Sequence, residues 1–228
     1  MQESTRSRAA LLALTIALLL PAAASAQSAA ATIRYGEPIR LPVAEEIALA
    51  RSAAPAAVSA EASVLVLEEG AKRWVVGAEG TNGATCYVSR TWPGSLEPHC
   101  FDPEGSRTIL PIHLMTSEMG HEGASQEEIE REIAAGVAAG RFRWPSRPAM
   151  SYMLSAGQVL VNDEGVNVGA WKPHLMIYWP GLRKADLGGT GAGPLLGDSM
   201  ILLDEGTDEA CLIIVHPEFV EPTVASAE

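Results

Sequence analysis

The chain has 228 residues and a formal net charge of −12, from 16 Lys and Arg against 28 Asp and Glu; it is 47% hydrophobic and 5% aromatic. That composition is too apolar for a disordered chain, and three cysteines are too few for a disulfide-built mini-scaffold. The acidity speaks against nucleic acid and anionic membrane surfaces as main partners, and the length is ample for one hydrophobic core.

Residues 1–26 have the pattern of a secretory signal peptide. Arg6 and Arg8 form a basic start, Ala9 to Leu20 an apolar run, and Ala24-Ser25-Ala26 a small-x-small cleavage site. The run is shorter than the ~20 residues that span a bilayer, so no membrane span is expected after cleavage. Cleavage leaves 202 residues at a net charge of −13. A periplasmic or secreted location follows. Residues 27–41 read as a flexible leader, 42–222 as one globular domain and 223–228 as a disordered tail.

In chain order, Pro42 opens a helix over Val43 to Ala53, with Glu45 and Glu46 at its positive end and Pro55 closing it. Strands are expected at Ala62–Leu67, Trp74–Glu79 and Ala84–Arg90. Asn82-Gly83 is a strong hairpin signal between the last two, so the three read as an antiparallel meander. Trp92 to Gly105, with Pro93, Pro98 and Pro103, reads as a loop; Arg107 to Met119 reads as helix. Ser125 with Glu128 is a capping box, and Ile129, Ile133 and Val137 give the helix its apolar stripe before Gly140 stops it. Short strands follow at Met150–Leu154, Gln158–Val161, Val166–Trp171 and His174–Trp179. Lys184–Gly197 is a glycine-rich loop, and Ser199–Leu203 with Ala210–His216 a last hairpin. This pattern is a single α+β domain with a mainly antiparallel sheet and two or three helices.

Familiar catalytic motifs fail on inspection. Gly188-Gly189-Thr190-Gly191-Ala192-Gly193 lacks the Gly-Lys-Ser/Thr of a phosphate loop and precedes Pro194, so it reads as a flexible surface loop. His121-Glu122 begins a zinc-protease motif whose second histidine position holds Ser125. Ser155 and Ser199 each lack one glycine of the nucleophile elbow. Asp163/Glu164 and Asp204/Glu205 are turn carboxylates.

Three features remain. Cys86 and Cys100 are placed to bridge the third strand to the proline-rich loop, with Cys211 a buried free thiol; a reactive Cys100 beside His99 is the alternative. His99, His113 and His174, with Asp102 or Glu104, contain donors for zinc, and Met176, His174 and Tyr178 alternate on one strand face, where methionine with histidine also suits copper; ordinary structural packing explains the same residues. Arg141, Arg143 and Arg147 form a basic island that, with Tyr152 and His174, suits a small anionic molecule, or else neutralises local carboxylates.

Four stretches, Glu46-Ile47-Ala48-Leu49-Ala50-Arg51-Ser52-Ala53-Ala54-Pro55, Gly80-Thr81-Asn82-Gly83, Ala149-Met150-Ser151-Tyr152-Met153 and Pro173-His174-Leu175-Met176-Ile177-Tyr178, resemble a group of uncharacterised exported bacterial proteins of about 200 residues. The resemblance implies one domain and brings no activity with it. The expectation from sequence is an exported soluble protein that binds a small molecule or a cell-envelope protein without catalysis. The alternative is a periplasmic hydrolase that depends on a metal or on histidine and cysteine.

Overall fold

In the computed structural model, which describes residues 36–91, 94–162 and 164–219, Pro42 starts helix α1 at Val43–Arg51, as its neighbours predict. The signal segment, most of the leader and the 223–228 tail lie outside the described residues. Pro55 then caps a single-turn helix, α2 (Ala56–Ser59). Strand β1 (Ser63–Leu67) pairs antiparallel with β2 (Trp74–Ala78).

The next strand departs from the expected meander. β3 (Thr85–Ser89) lies on the other side of β1 and runs parallel to it. Asn82-Gly83 therefore closes no hairpin. Instead Asn82 Oδ1 accepts from Ala84 N at 3.0 Å, Thr81 N donates to Glu61 O at 2.8 Å, and Ser63 N donates to Ala84 O at 3.0 Å, so the chain wraps past the start of β1. Gly80 makes that wrap possible: a Cβ there would stand 2.1 Å from Ser63 N and 2.3 Å from the Ala62 carbonyl carbon.

A second correction falls in the proline-rich segment. Glu97–Phe101 is a buried strand, β4, paired antiparallel with β3. Cys86 and Cys100 are direct partners with Cα atoms 3.9 Å apart, the close spacing of a non-hydrogen-bonded pair. Pairs alternate, so Val88 and Pro98 are also a non-hydrogen-bonded pair and Pro98 N faces the far side. There β5 (Ala149–Met153) pairs with β4 only at Cys100 and Phe101, so no ladder bond needs the missing N–H.

The remaining strands are β6 (Leu160–Val161), β7 (Asn167–Gly169), β8 (His174–Tyr178), β9 (Met200–Leu203) and β10 (Cys211–Val215). The large sheet has eight strands in the order β2-β1-β3-β4-β5-β8-β10-β9, and β6 with β7 forms a separate hairpin. The architecture is a single α+β domain with a mainly antiparallel sheet.

Each face of the sheet has its own cover. Ala50, Ala53 and Ala54 pack on Val64, Val66, Cys86, Val88 and Cys100. On the other face, Ile109 and Leu110 of helix α3 (Pro103–His121) pack with Trp74, Tyr87, Phe101, Ala149, Tyr178 and Cys211. α3 starts four residues earlier than the sequence suggests, because Asp102 accepts from Gly105 N at 2.6 Å and Pro103 occupies its first turn. Helix α4 (Gln126–Ala138) begins at the predicted capping box, with both of its reciprocal bonds present. The glycine-rich segment is organised around the buried Lys184 ammonium, which donates to the Gly191 and Gly193 carbonyls; Leu196 N and Leu202 N bond Met200 O and Pro194 O, covering the β9 edge.

A buried ion pair ties α1 to the sheet. Arg90 Nη1 stands 2.9 Å from Glu46 Oε1, with side chains 0% and 2% exposed. Glu46 also accepts from Leu67 N, while the Arg90 guanidinium donates to Val88 O and Ile39 O.

Candidate functional site

Helix α3 crosses its face of the sheet diagonally. It begins beside the end of β4, where Asp102 N donates to Met150 O, and it ends where His121 Nε2 bonds Arg90 O at 2.7 Å and its ring faces Trp74. Among the described residues, no helix packs closely on the corner formed by the start of β8 and the end of β10. Met176, Ile213 and Val215 are accordingly only half-buried.

Histidines converge at this corner. On β4, residues 97, 99 and 101 point toward α3; on β5, residues 149, 151 and 153 do; on β8, residues 174, 176 and 178 do. Met153 pairs with His174, and His99 lies on the same face of β4, one residue before the β4–β5 pair at Cys100 and Tyr152. His113 descends from α3, its ring 6.1 Å from that of His99 and 6.0 Å from that of Tyr178.

The ring nitrogens are partly engaged. His174 Nδ1 lies 2.7 Å from Lys172 O; a carbonyl only accepts, so Nδ1 carries the proton and Nε2 keeps a bare lone pair. His99 Nδ1 shares a hydrogen bond with Ser151 Oγ at 3.1 Å. His113 Nε2 lies 3.4 Å from the Tyr178 hydroxyl. Glu97, two residues before His99, accepts from Thr91 N at 3.0 Å and from Trp171 Nε1 at 3.1 Å, which brings a 41%-exposed indole to the same corner. Burial raises the Glu97 carboxyl above its usual range.

Burial also keeps the imidazoles neutral. It holds His99 well below the ordinary 6.5, helped by the neighbouring His113 and His174; it lowers His174, and it lowers His113 to about 4. A histidine depressed in the fold binds its proton more readily when unfolded, so its contribution to stability is present above 6.5 and is lost as pH falls toward 4. The melting temperature should therefore drop through that window, and His113→Gln should flatten the drop. A wild-type profile level from pH 7 to about pH 4.5 would contradict this burial of neutral rings.

Asp102, taken from the sequence as a fourth donor for the three histidines, is the N-cap of α3 and lies on the opposite side of β4. Among the described residues, no group of three His, Cys, Asp or Glu side chains is placed to hold a metal ion. The proposed anion set is dispersed. Arg141 pairs with Glu132 and lies 4.7 Å over the Phe142 ring, Arg147 reaches Glu104 at 3.5 Å, and Arg143 is exposed. Arg147 precedes β5 at Ala149, whereas His174 pairs with Met153 at the other end of that strand, about 13 Å away at about 3.4 Å per residue. Tyr152 packs toward α1, on the face opposite His174.

The predicted bridge is present: Cys86 and Cys100 form a disulfide within the core. Cys211 is a buried free thiol whose ionisation burial pushes up to about 12. His121 stands apart from the corner, in contact with Arg90 O, whereas His216 follows directly on β10, its N donating to Pro173 O at 2.7 Å and its ring meeting Glu218 O. A separate open groove of about 670 Å³ lies between α3 and α4, lined by Met119, Glu122, Glu128, Arg131 and Ala135 among others. The sequence passed over Ser151 and Trp171 as functional residues and treated Glu97 only as part of a loop; their strand positions are visible only once β4 is recognised. No family model matches this chain, and no curated protein or solved structure matches it.

Proposed function

We propose that this is an exported binding protein that takes a small ligand at the open corner of the sheet, without catalysis. The observation that carries the reading is the convergence of His99, His113 and His174, from three different elements, beside a half-buried apolar floor of Met176 and Ile213. An apolar floor with a few convergent polar groups is the usual composition of a small-ligand site.

Hydrolase chemistry has less support. The Ser151 hydroxyl that meets His99 is 0% exposed, and no carboxylate bonds that imidazole. Two of the cysteines are joined and the third is held as a thiol, so none serves as a thiolate nucleophile. At the basic island, among the described residues, Arg141 and Arg147 are already paired with Glu132 and Glu104, which leaves little charge for an anionic ligand. The buried disulfide fits an oxidising compartment, which together with the leader pattern supports periplasm or the exterior.

A fragment screen by amide NMR tests the reading. Bound fragments should shift Met153, His174, Met176 and Ile213, and Ile213→Trp, which fills the corner, should abolish those shifts. Hits confined to the α3–α4 groove, or indifferent to Ile213→Trp, would contradict it.

A further inference from the structure

We propose that the ligand class this corner selects is a soft monovalent metal ion, Cu(I), held by His99 Nε2, His174 Nε2 and the Met153 thioether. The proposal rests on the reading of the corner as a binding site and adds its chemistry. Two observations carry it. Met153 pairs directly with His174 on one sheet face, where laterally adjacent Cβ atoms stand about 5 Å apart, and His99 on β4 points to that same face and bonds Ser151 of β5, so the three side chains come from three adjacent strands. Both imidazoles are anchored at Nδ1, His99 by Ser151 and His174 by the Lys172 carbonyl, an arrangement that fixes ring orientation and, for His174, leaves a bare Nε2 for a metal.

The donor set decides the metal. A thioether with two imidazoles is soft, and soft sulfur ligands favour Cu(I) over harder divalent ions. Zinc takes imidazole, thiolate or carboxylate ligands rather than a thioether, and calcium takes oxygens, for which Glu97 already accepts from Thr91 and Trp171, while Asp102 caps α3.

The test uses the purified protein with its disulfide intact, Cu(I) kept reduced by ascorbate with no thiol present, and bicinchoninate as a competing chromogenic chelator. The protein should withdraw a single Cu(I) per chain. Met153→Leu and His174→Gln should each weaken that affinity about tenfold or more, since even outer partners of a metal ligand are worth that much. Cys211→Ser should bind as the wild type does. X-ray absorption of the Cys211→Ser protein should show a sulfur scatterer together with imidazole nitrogens, which covers the case in which Met153→Leu does not fold. No withdrawal of Cu(I), binding lost with Cys211→Ser, or a spectrum without sulfur would overturn the proposal. If Cu(I) fails while fragments still shift the corner, only the metal assignment falls; if both fail, the binding reading falls with it.

Discussion

Replacing Arg90 with methionine should cost the fold about 3–5 kcal/mol, measured as a lower midpoint in urea. The cause is the partner left behind. Glu46 sits 2% exposed on α1, and without the guanidinium it keeps only Leu67 N at 3.3 Å, so its charge stays buried without compensation. The loss should be cooperative, because α1 supplies Ala50 to the fully buried alanines that cover β1, β3 and β4. Glu46→Gln should be similarly destabilising, since it leaves the guanidinium 0% exposed with only the Val88 and Ile39 carbonyls. The double variant Glu46→Leu with Arg90→Met separates this account from simple loss of contacts. Apolar replacement of both partners should recover most of the loss, because no buried charge remains. Equal and additive costs would show that the pair does not act as a unit.

The second large effect belongs to the disulfide. Cys86→Ala with Cys100→Ala should lower stability by about 3 kcal/mol, the loop-closure value for a separation of 14 residues. The bridge joins two directly paired residues of the central strands, so it also holds the register of β4. β4 pairs with β3 along its whole length, but on its other side Pro98 cannot donate and pairing to β5 covers only Cys100 and Phe101. Proteolysis of the variant should accordingly begin between β3 and β4. An unchanged midpoint after selective reduction would remove the disulfide from the account of stability.

These two predictions bear on how much the sequence disclosed. Local chemistry was legible. The Ser125–Glu128 capping box, the Pro42 helix start and the Cys86–Cys100 bridge each depend on residues near one another in the chain, and each stands in the structure where the sequence placed it. Pairing between distant strands was not legible. Asn82-Gly83 promised a hairpin, but the steric opening at Gly80 allows a wrap past β1 that no local pattern distinguishes from a turn. β4 hid among prolines because a proline on the unpaired side of a strand is as acceptable as in a loop. Glu46 looked like a helix-dipole charge; that it meets Arg90, across the sheet's own long-range pairing, depends on β3 lying beside β1. The histidine corner has the same origin. The alternation of His174, Met176 and Tyr178 was readable, whereas the presence of His99 and His113 on that face required the order β4-β5-β8 and the diagonal of α3.

The measurement that tests the account most directly is the long-range ¹H–¹⁵N spectrum of the histidine rings as ligand is added. The structure assigns His174 a protonated Nδ1 and a bare Nε2. Ligand should displace the Nε2 resonances of His174 and His99, with those of His121 unmoved. A His174 ring protonated at Nε2 in the free protein, or ligand that shifts His121 and leaves His99 and His174 in place, would contradict it.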